Sequence, residues 1–421
     1  MKRVSTNPWC WVPSLYFTEG LPNIIVAAVA AIMYKRMGLS NADVTFYASL
    51  LTLPWVIKPL WSPFVDIFST RRRWVTAMQF LMAIGFAAVG FSMPGQLWFQ
   101  FSTASFMAVA FLSATHDIAA DGFYMLALSQ ERQSFFVGIR TATYRLAMIA
   151  GRGPLVMLAG YLETTMGDIP EAWAATFYIV AIALTILAAY HSLILPHPAS
   201  DKLHQRKTPT EVCREFIATF REFFTKPGIV TAVLFMLFYK LPEAMLTSMI
   251  NPFLLDPAEA GGLGLDTGEV GIAYGTVGVV GLMLGGIIGG MVVSRNGLRR
   301  WMMPMAWGMS LTCATFLWLS YAHASGLIEV CVCVFIEQFG YGFGTTAYIL
   351  YLIHFAKGAK ATSFYAIATG IMSLGMMLPG MISGWLQTMI GYGPFFIVTM
   401  VCCVVTILVA KAARRHIESG K

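Results

Sequence analysis

Ser62-Pro63-Phe64-Val65-Asp66 runs on through Ile67-Phe68-Ser69-Thr70 into Arg71-Arg72-Arg73. Far downstream the pattern returns as Gly290-Met291-Val292-Val293-Ser294-Arg295-Asn296-Gly297-Leu298-Arg299-Arg300. Each copy has a small residue, three others, a polar residue and then a basic cluster. Each also follows a long apolar run, the second in one case and the eighth in the other. A further echo joins them: Glu19-Gly20-Leu21-Pro22 lies in the first run and Leu241-Pro242-Glu243 in the seventh, so each half opens with an acid beside a proline. A chain that repeats itself across its midpoint is read as two related halves.

The apolar runs account for almost everything between these motifs. Of 421 residues 57% are hydrophobic, including 26 Met and 30 Phe, and only 12% are charged, with a mean hydropathy of +0.68. That is more apolar surface than a soluble core can hide. Runs long enough to cross about 30 Å of hydrocarbon fall near 9–35, 44–66, 74–93, 97–128, 135–161, 171–195, 228–254, 269–293, 301–322, 326–354, 361–388 and 391–411. The chain is therefore expected to be an all-α integral membrane protein of twelve spans in two six-helix halves. The runs 97–128 and 326–354 are long for a straight crossing and imply tilt. Met1-Lys2-Arg3 leads into a run broken by Pro13, Glu19 and Pro22 with no small-residue cleavage site, so the first helix is expected to stay in the protein.

Loop charges give the orientation. Of 28 Lys and Arg, 21 lie in the loops on the side of the termini and only Lys35 and Arg36 in the loops opposite, the other 5 being intramembrane. The positive-inside rule then puts both termini in the cytoplasm. It also accounts for the net charge of +7 without nucleic acid as a partner. The seven cysteines, Cys10, Cys213, Cys313, Cys331, Cys333, Cys402 and Cys403, form no CxxC pair and have no histidine at ligand spacing, so neither a disulfide framework nor a metal site is expected. No P-loop lysine, HExxH or nucleophile elbow occurs, leaving ATP drive and hydrolysis without a basis.

A polar stretch, 196–227, separates the halves 1–195 and 228–421. Thr208-Pro209-Thr210-Glu211 has the form of a capping box, so a helix is expected to follow it. Val212, Phe216, Ile217, Phe220, Phe223 and Phe224 recur at helical spacing opposite Arg214, Glu215, Arg221 and Glu222. Such a helix would lie on the inner membrane face.

Five acids (Glu19, Asp117, Asp121, Glu243, Glu337) and five bases (Lys58, Arg140, Arg145, Arg152, Lys240) lie inside the spans. A lone charge at the bilayer centre costs roughly 2.5 to 3.5 kcal/mol on insertion scales, so these must face one another or a wet cavity. This is the pattern of a transporter. Asp117 and Asp121 share a helix face with His116 beside it, and two carboxylates so close in a poorly hydrated place will not both be ionised. They are the first candidates to carry a proton, unless each is locked in an ion pair with an arginine of span five. Glu19, Glu243 and Glu337 are the others.

Arg145 and Arg152, seven apart on one face, present guanidinium forks suited to a carboxylate or phosphate; alternatively they neutralise the aspartates. Arg140 points elsewhere and is expected to snorkel. Lys240, three residues before Glu243, is expected to neutralise it or to join the substrate site. Tyr16, Tyr124, Tyr144 and Tyr239 lie near these charges and are candidates to line a sugar-binding cavity. Glycines at 271, 275, 278, 281, 285 and 289 stripe span eight, which allows close helix approach, with span five as the expected partner.

The repeated loop after spans two and eight resembles the signature loop of the major facilitator superfamily. The resemblance implies that Asp66 with Arg71, Arg72, Arg73 and Arg295 holds a cytoplasmic gate. Gly20-Leu21-Pro22, Lys58-Pro59-Leu60-Trp61-Ser62-Pro63, Asp117-Ile118 with Asp121, and Tyr144-Arg145-Leu146 together look like the AmpG-type anhydromuropeptide permeases and their relatives, which include acetyl-coenzyme A transporters. That family implies proton-driven import of cell-wall fragments across a bacterial inner membrane. The resulting expectation is a carrier of an anionic polar solute, a muropeptide or amino-sugar fragment, working by alternating access with protons as the coupling ion and no cofactor. Its partners would be that small solute and membrane lipid, the chain acting as a monomer. A carrier of another bulky anion, such as a coenzyme A ester or siderophore, and a non-transporting sensor of such a ligand are the alternatives.

Overall fold

A computed structural model describes residues 7–62, 65, 69–198, 201, 209–358 and 360–419. All regular elements among them are helices. In chain order they are α1 (Pro8–Arg36), α2 (Asn41–Leu50, continued by Leu53–Ile57), α3 (Arg71–Ser92), α4 (Trp98–Ala127), α5 (Gln130–Arg152, continued by Pro154–Met166) and α6 (Ile169–Ile194). The second six are α7 (Ile229–Leu255), α8 (Thr267–Asn296), α9 (Leu298–Ala322), α10 (Leu327–Ala356), α11 (Ala361–Ile390) and α12 (Tyr392–Ser419). Nine are long and apolar enough to cross a membrane among the described residues. The other three are α2, which is broken, and α4 and α5, which carry half of the ten intramembrane charges. The twelve-helix expectation stands.

By contacts the chain divides into two compact units, one of Met1–Ala30 and Ile57–Arg214, the other of Ala31–Val56 and Glu215–Lys421. The C-terminal end of α1 and the first part of α2 thus group with the later helices. Within the units the packing repeats: α1 lies on α5 as α7 lies on α11, and α3 lies on α4 and α6 as α9 lies on α10 and α12. The contact of α1 with α5 is close because it is made at glycine. A Cβ on Gly20 would stand 2.9 Å from that of Ala147 and 3.0 Å from the Tyr144 carbonyl.

In the second unit the glycine stripe of α8 meets α10. A Cβ on Gly281 would lie 2.7 Å from the Phe335 carbonyl, one on Gly285 would strike the Phe339 carbonyl, and one on Gly342 of α10 would strike that of Leu282. Both helices bring glycine to the seam, so backbone meets backbone. Spacing within span eight shows the stripe but not which neighbour carries the matching glycine.

The helix expected in the connecting segment is present as Pro209–Phe224; Thr208 of its capping box lies outside the described residues. Phe223 is fully buried against Phe355 and Phe364, while Ile217, Phe220 and Phe224 stay exposed. Lys226 then donates to the carbonyls of Phe355 (2.6 Å) and Lys357 (3.1 Å), closing the C-terminal end of α10.

Candidate functional site

Asp117 and Asp121 sit one turn apart on α4, and each faces a base on another helix. Past Ile57 the chain tightens into a 3-10 turn, Lys58–Leu60, in which Pro59 occupies an early position. Trp61 fastens that turn to α4 by donating its indole N–H to the Thr115 hydroxyl (3.2 Å). Lys58 so placed forms an ion pair with Asp117. Asp121 receives the Tyr16 hydroxyl at 3.0 Å and the Arg140 guanidinium at 2.9 Å. Arg140 also lies over the rings of Tyr16 (4.5 Å) and Tyr124 (5.3 Å), which meet edge to face. Glu19 of α1 comes within hydrogen-bonding reach of Asp117.

These ion pairs are not sealed. Lys58 and Asp117 leave 27% and 22% of their side chains uncovered, and Arg140 and Asp121 leave 28% and 39%. Ionised groups uncovered within a membrane span face water rather than lipid.

The partners meet the expectations in part. Arg140, expected to snorkel, binds Asp121 and is itself an arginine of span five, as the ion-pair alternative had it, whereas Lys58 binds Asp117. The cause is the packing of α5 on α1, with few contacts to α4. Tyr16 and Glu19 of α1 therefore flank the aspartates, and only Arg140, near the start of α5, reaches past them. Arg145 is half-buried and makes no ion pair or hydrogen bond among the described residues. Arg152 is also half-buried. Tyr144 donates to Asn23 (3.3 Å) and Tyr124 to the Gln133 carbonyl (2.5 Å).

A second buried polar chain lies beside the first. Gln79 of α3 contacts His116 Nε2 and His191 Nδ1, both at 2.9 Å, and His191 Nε2 contacts the Ser14 hydroxyl at 2.9 Å. It ties α1, α3, α4 and α6 together. Nothing in the spacing of these four residues announces it.

In the second unit Lys240 turns away from Glu243. Its ammonium donates to the Tyr341 hydroxyl (3.3 Å) and lies over the rings of Tyr341 (4.7 Å) and Tyr348 (5.3 Å), so the expected pair is not formed. Lys240 precedes the first turn of the second segment of α7, Leu241–Leu255, and the break in the helix removes the three-residue facing that a continuous helix would give. Glu243 accepts from Thr247 (3.1 Å), lies 3.9 Å from Cys313 Sγ and approaches Glu337; Glu337 accepts from the Gln338 amide (2.8 Å). Tyr239 is packed in the aromatic core with Phe235 and Tyr348, its hydroxyl on the Gly344 carbonyl at 3.2 Å.

Of the gate residues, Asp66 lies outside the described residues. Arg71 donates to the Ile118 carbonyl (3.0 Å) and fills the space beside Gly122, where any Cβ would collide with it. Arg72 reaches the carbonyls of Leu195 (3.1 Å) and Ser192 (2.5 Å). The amides of Arg71 and Arg72 are capped by Asp201 at 2.9 and 3.0 Å, an N-terminal carboxylate too distant in sequence to foresee. Arg73 contributes its amide to Thr70 (3.4 Å), and Arg295 is exposed.

The profile of the Major Facilitator Superfamily matches residues 14–249, more than half of the chain. The chain belongs to that superfamily. It is 27% identical over 412 residues to the anhydromuropeptide permease of Escherichia coli, covering 96% of this chain and 79% of that one. It is also 27% identical over 400 residues to the putative transporter AmpG 4 of Rickettsia conorii, covering 92% of each. Among solved structures, a D-xylose-proton symporter superposes with a TM-score of 0.71 at 12% identity, covering 96% of both chains. A mutant of the nucleoside transporter NupG gives 0.69 at 16% identity, covering 97% and 99%. Those two likenesses concern the fold. The protein is a multi-pass membrane transporter related to the AmpG permeases, not an enzyme.

Proposed function

We propose that this major facilitator protein imports an anionic cell-wall fragment, a muropeptide or amino-sugar compound, across a bacterial inner membrane with protons, its termini facing the cytoplasm. One observation carries the reading: the acids of the first unit face bases or one another, whereas Arg145 makes no ion pair or hydrogen bond among the described residues. A committed set of charges can move protons. An uncommitted guanidinium can take a carboxylate from the solute.

The steps use groups already in contact. Protonation of Asp117 weakens its hold on Lys58, and deprotonation restores it. A solute anion held by Arg145, with Arg152 two turns further along the helix, would enter while Lys58 is released. Tyr16, Tyr124 and Tyr144 offer rings and hydroxyls to a sugar. Two conformations that differ in which acid holds the proton convert a proton gradient into solute movement. Support for the solute class comes from the permease relatives, whose printed name is anhydromuropeptide permease.

The test is uptake of radiolabelled anhydromuropeptide into proteoliposomes, with and without an imposed pH gradient. Accumulation that follows the gradient is expected. Uptake indifferent to it would sink proton coupling, and binding without uptake would point to a sensor.

A further inference from the structure

Asp256, at the outer end of α7, gathers a polar network that the charge cluster does not use. Its amide still bonds the Pro252 carbonyl (2.8 Å), and the following loop folds back on it. Gly264 donates to the Asp256 carbonyl (2.8 Å), Leu263 to that of Phe253 (2.9 Å) and Leu265 to that of Leu254 (2.8 Å). Gly262 lies where any Cβ would strike the Asp256 backbone. The loop thus fixes the direction of the carboxylate before anything binds it.

Three donors converge on that carboxylate. Tyr392 donates its hydroxyl at 2.6 Å and Asn41 its amide at 2.8 Å, while Lys35 makes an ion pair. Asn41 also reaches Gln387 Oε1 (3.0 Å) and the Tyr392 hydroxyl (2.9 Å), and its own oxygen accepts from Lys35 (2.6 Å). Asn41, Asp256 and Gln387 are all buried. Lys35 and Asn41 belong to Ala31–Val56, the one early segment that groups with the later helices. Behind them, α11 meets α2 through glycine: the Gly384 amide donates to the Thr45 hydroxyl (3.0 Å), and Gly380 stands against Ser49.

Hydrogen bonds of this kind exchange readily for bonds to water, and a glycine face presents no interdigitated side chains to pull apart. The seam is therefore specific when closed and separable when wetted. Buried donors around one carboxylate also make it all-or-none, since each bond lost leaves others unpaired.

We propose that Lys35, Asn41, Asp256, Gln387 and Tyr392 form a latch that holds the segment Ala31–Val56 among the later helices and releases it once in each transport cycle, on the side away from the cytoplasm. The timing rests on the transport reading above; the latch is testable without solute. Ser49→Cys, two turns deeper than Asn41, reports the release. A membrane-impermeant maleimide is added outside intact cells, with the chain lacking that substitution as control for its own cysteines. Asp256→Asn is expected to raise the labelling rate roughly tenfold by favouring the released state, and Tyr392→Phe by a smaller factor of about two. Exchanging the charges, Lys35→Asp with Asp256→Lys, should return the rate toward that of the parent.

Labelling that stays at the parent rate in folded Asp256→Asn overturns the latch. Should that variant fail to reach the membrane, Tyr392→Phe decides alone, because it leaves the Lys35 pair in place. A labelling series as expected in a protein that carries no muropeptide would keep the latch and discard the solute, whereas unchanged labelling in a protein that transports would discard the latch only.

Discussion

Asp117 and Asp121 of the first unit and Glu243 and Glu337 of the second all lie within apolar runs and have different surroundings. Asp117 and Asp121 hold cations, and a fifth to two-fifths of each side chain is uncovered. Glu243 and Glu337 are 1% and 0% exposed and lean on a hydroxyl, an amide and a thiol, while the nearby ammonium of Lys240 rests on tyrosine rings. A carboxylate open to water can change protonation as its cation moves; one buried on every side has no such exchange with solvent. The difference teaches that an acid within a span does not by itself mark a proton carrier.

The sharpest way to break this comparison is to neutralise one acid from each side. Asp117→Asn is expected to lower gradient-driven uptake at least about tenfold, within the usual range of coupling between sites, while leaving solute exchange without a gradient. Glu243→Gln should change uptake by less than about twofold, since it leaves the ion pairs of the first unit untouched and keeps an acceptor for Thr247. Uptake measured side by side on both variants reverses the assignment if Glu243→Gln is the one that fails.

Arg145→Ala comes next. Loss of one charge-assisted contact to the solute should cost about 1.5 to 3 kcal/mol, or tenfold or more in affinity by equilibrium binding. Arg145→Lys should not restore it, because an ammonium lacks the fork. Unchanged affinity in a folded variant would remove Arg145 from the site.

Lys58→Ala should lower stability by about 1 to 3 kcal/mol, less than the 3 to 5 of a fully buried pair because Asp117 keeps access to water. Thermal unfolding in detergent would show it, with Lys58→Ala plus Asp117→Asn recovering most of the loss. The smallest effect is expected at Tyr239→Phe, about 1 kcal/mol from the bond to Gly344, with uptake unaltered. A large loss of uptake there would return Tyr239 to the cavity.

The spans and the repeat were legible because lipid demands uninterrupted apolar length and a repeated loop shows itself in one dimension. The charged residues were legible for the same reason, since ten charges within apolar runs stand out. Their pairing was not. Which cation meets Asp117 depends on α1 lying on α5 and on a tight turn at Lys58, and both are matters of packing between distant segments. Lys35 and Asp256 look like ordinary loop charges until Asn41, Gln387 and Tyr392 are found around them.

The membership of Ala31–Val56 in the second unit also bears on how the protein is made. Asn41 leaves the ribosome 346 residues before Gln387 and 351 before Tyr392, which complete its surroundings. Contacts of such long sequence separation form late. Until α11 and α12 are made, the amide of Asn41 must do without these two partners.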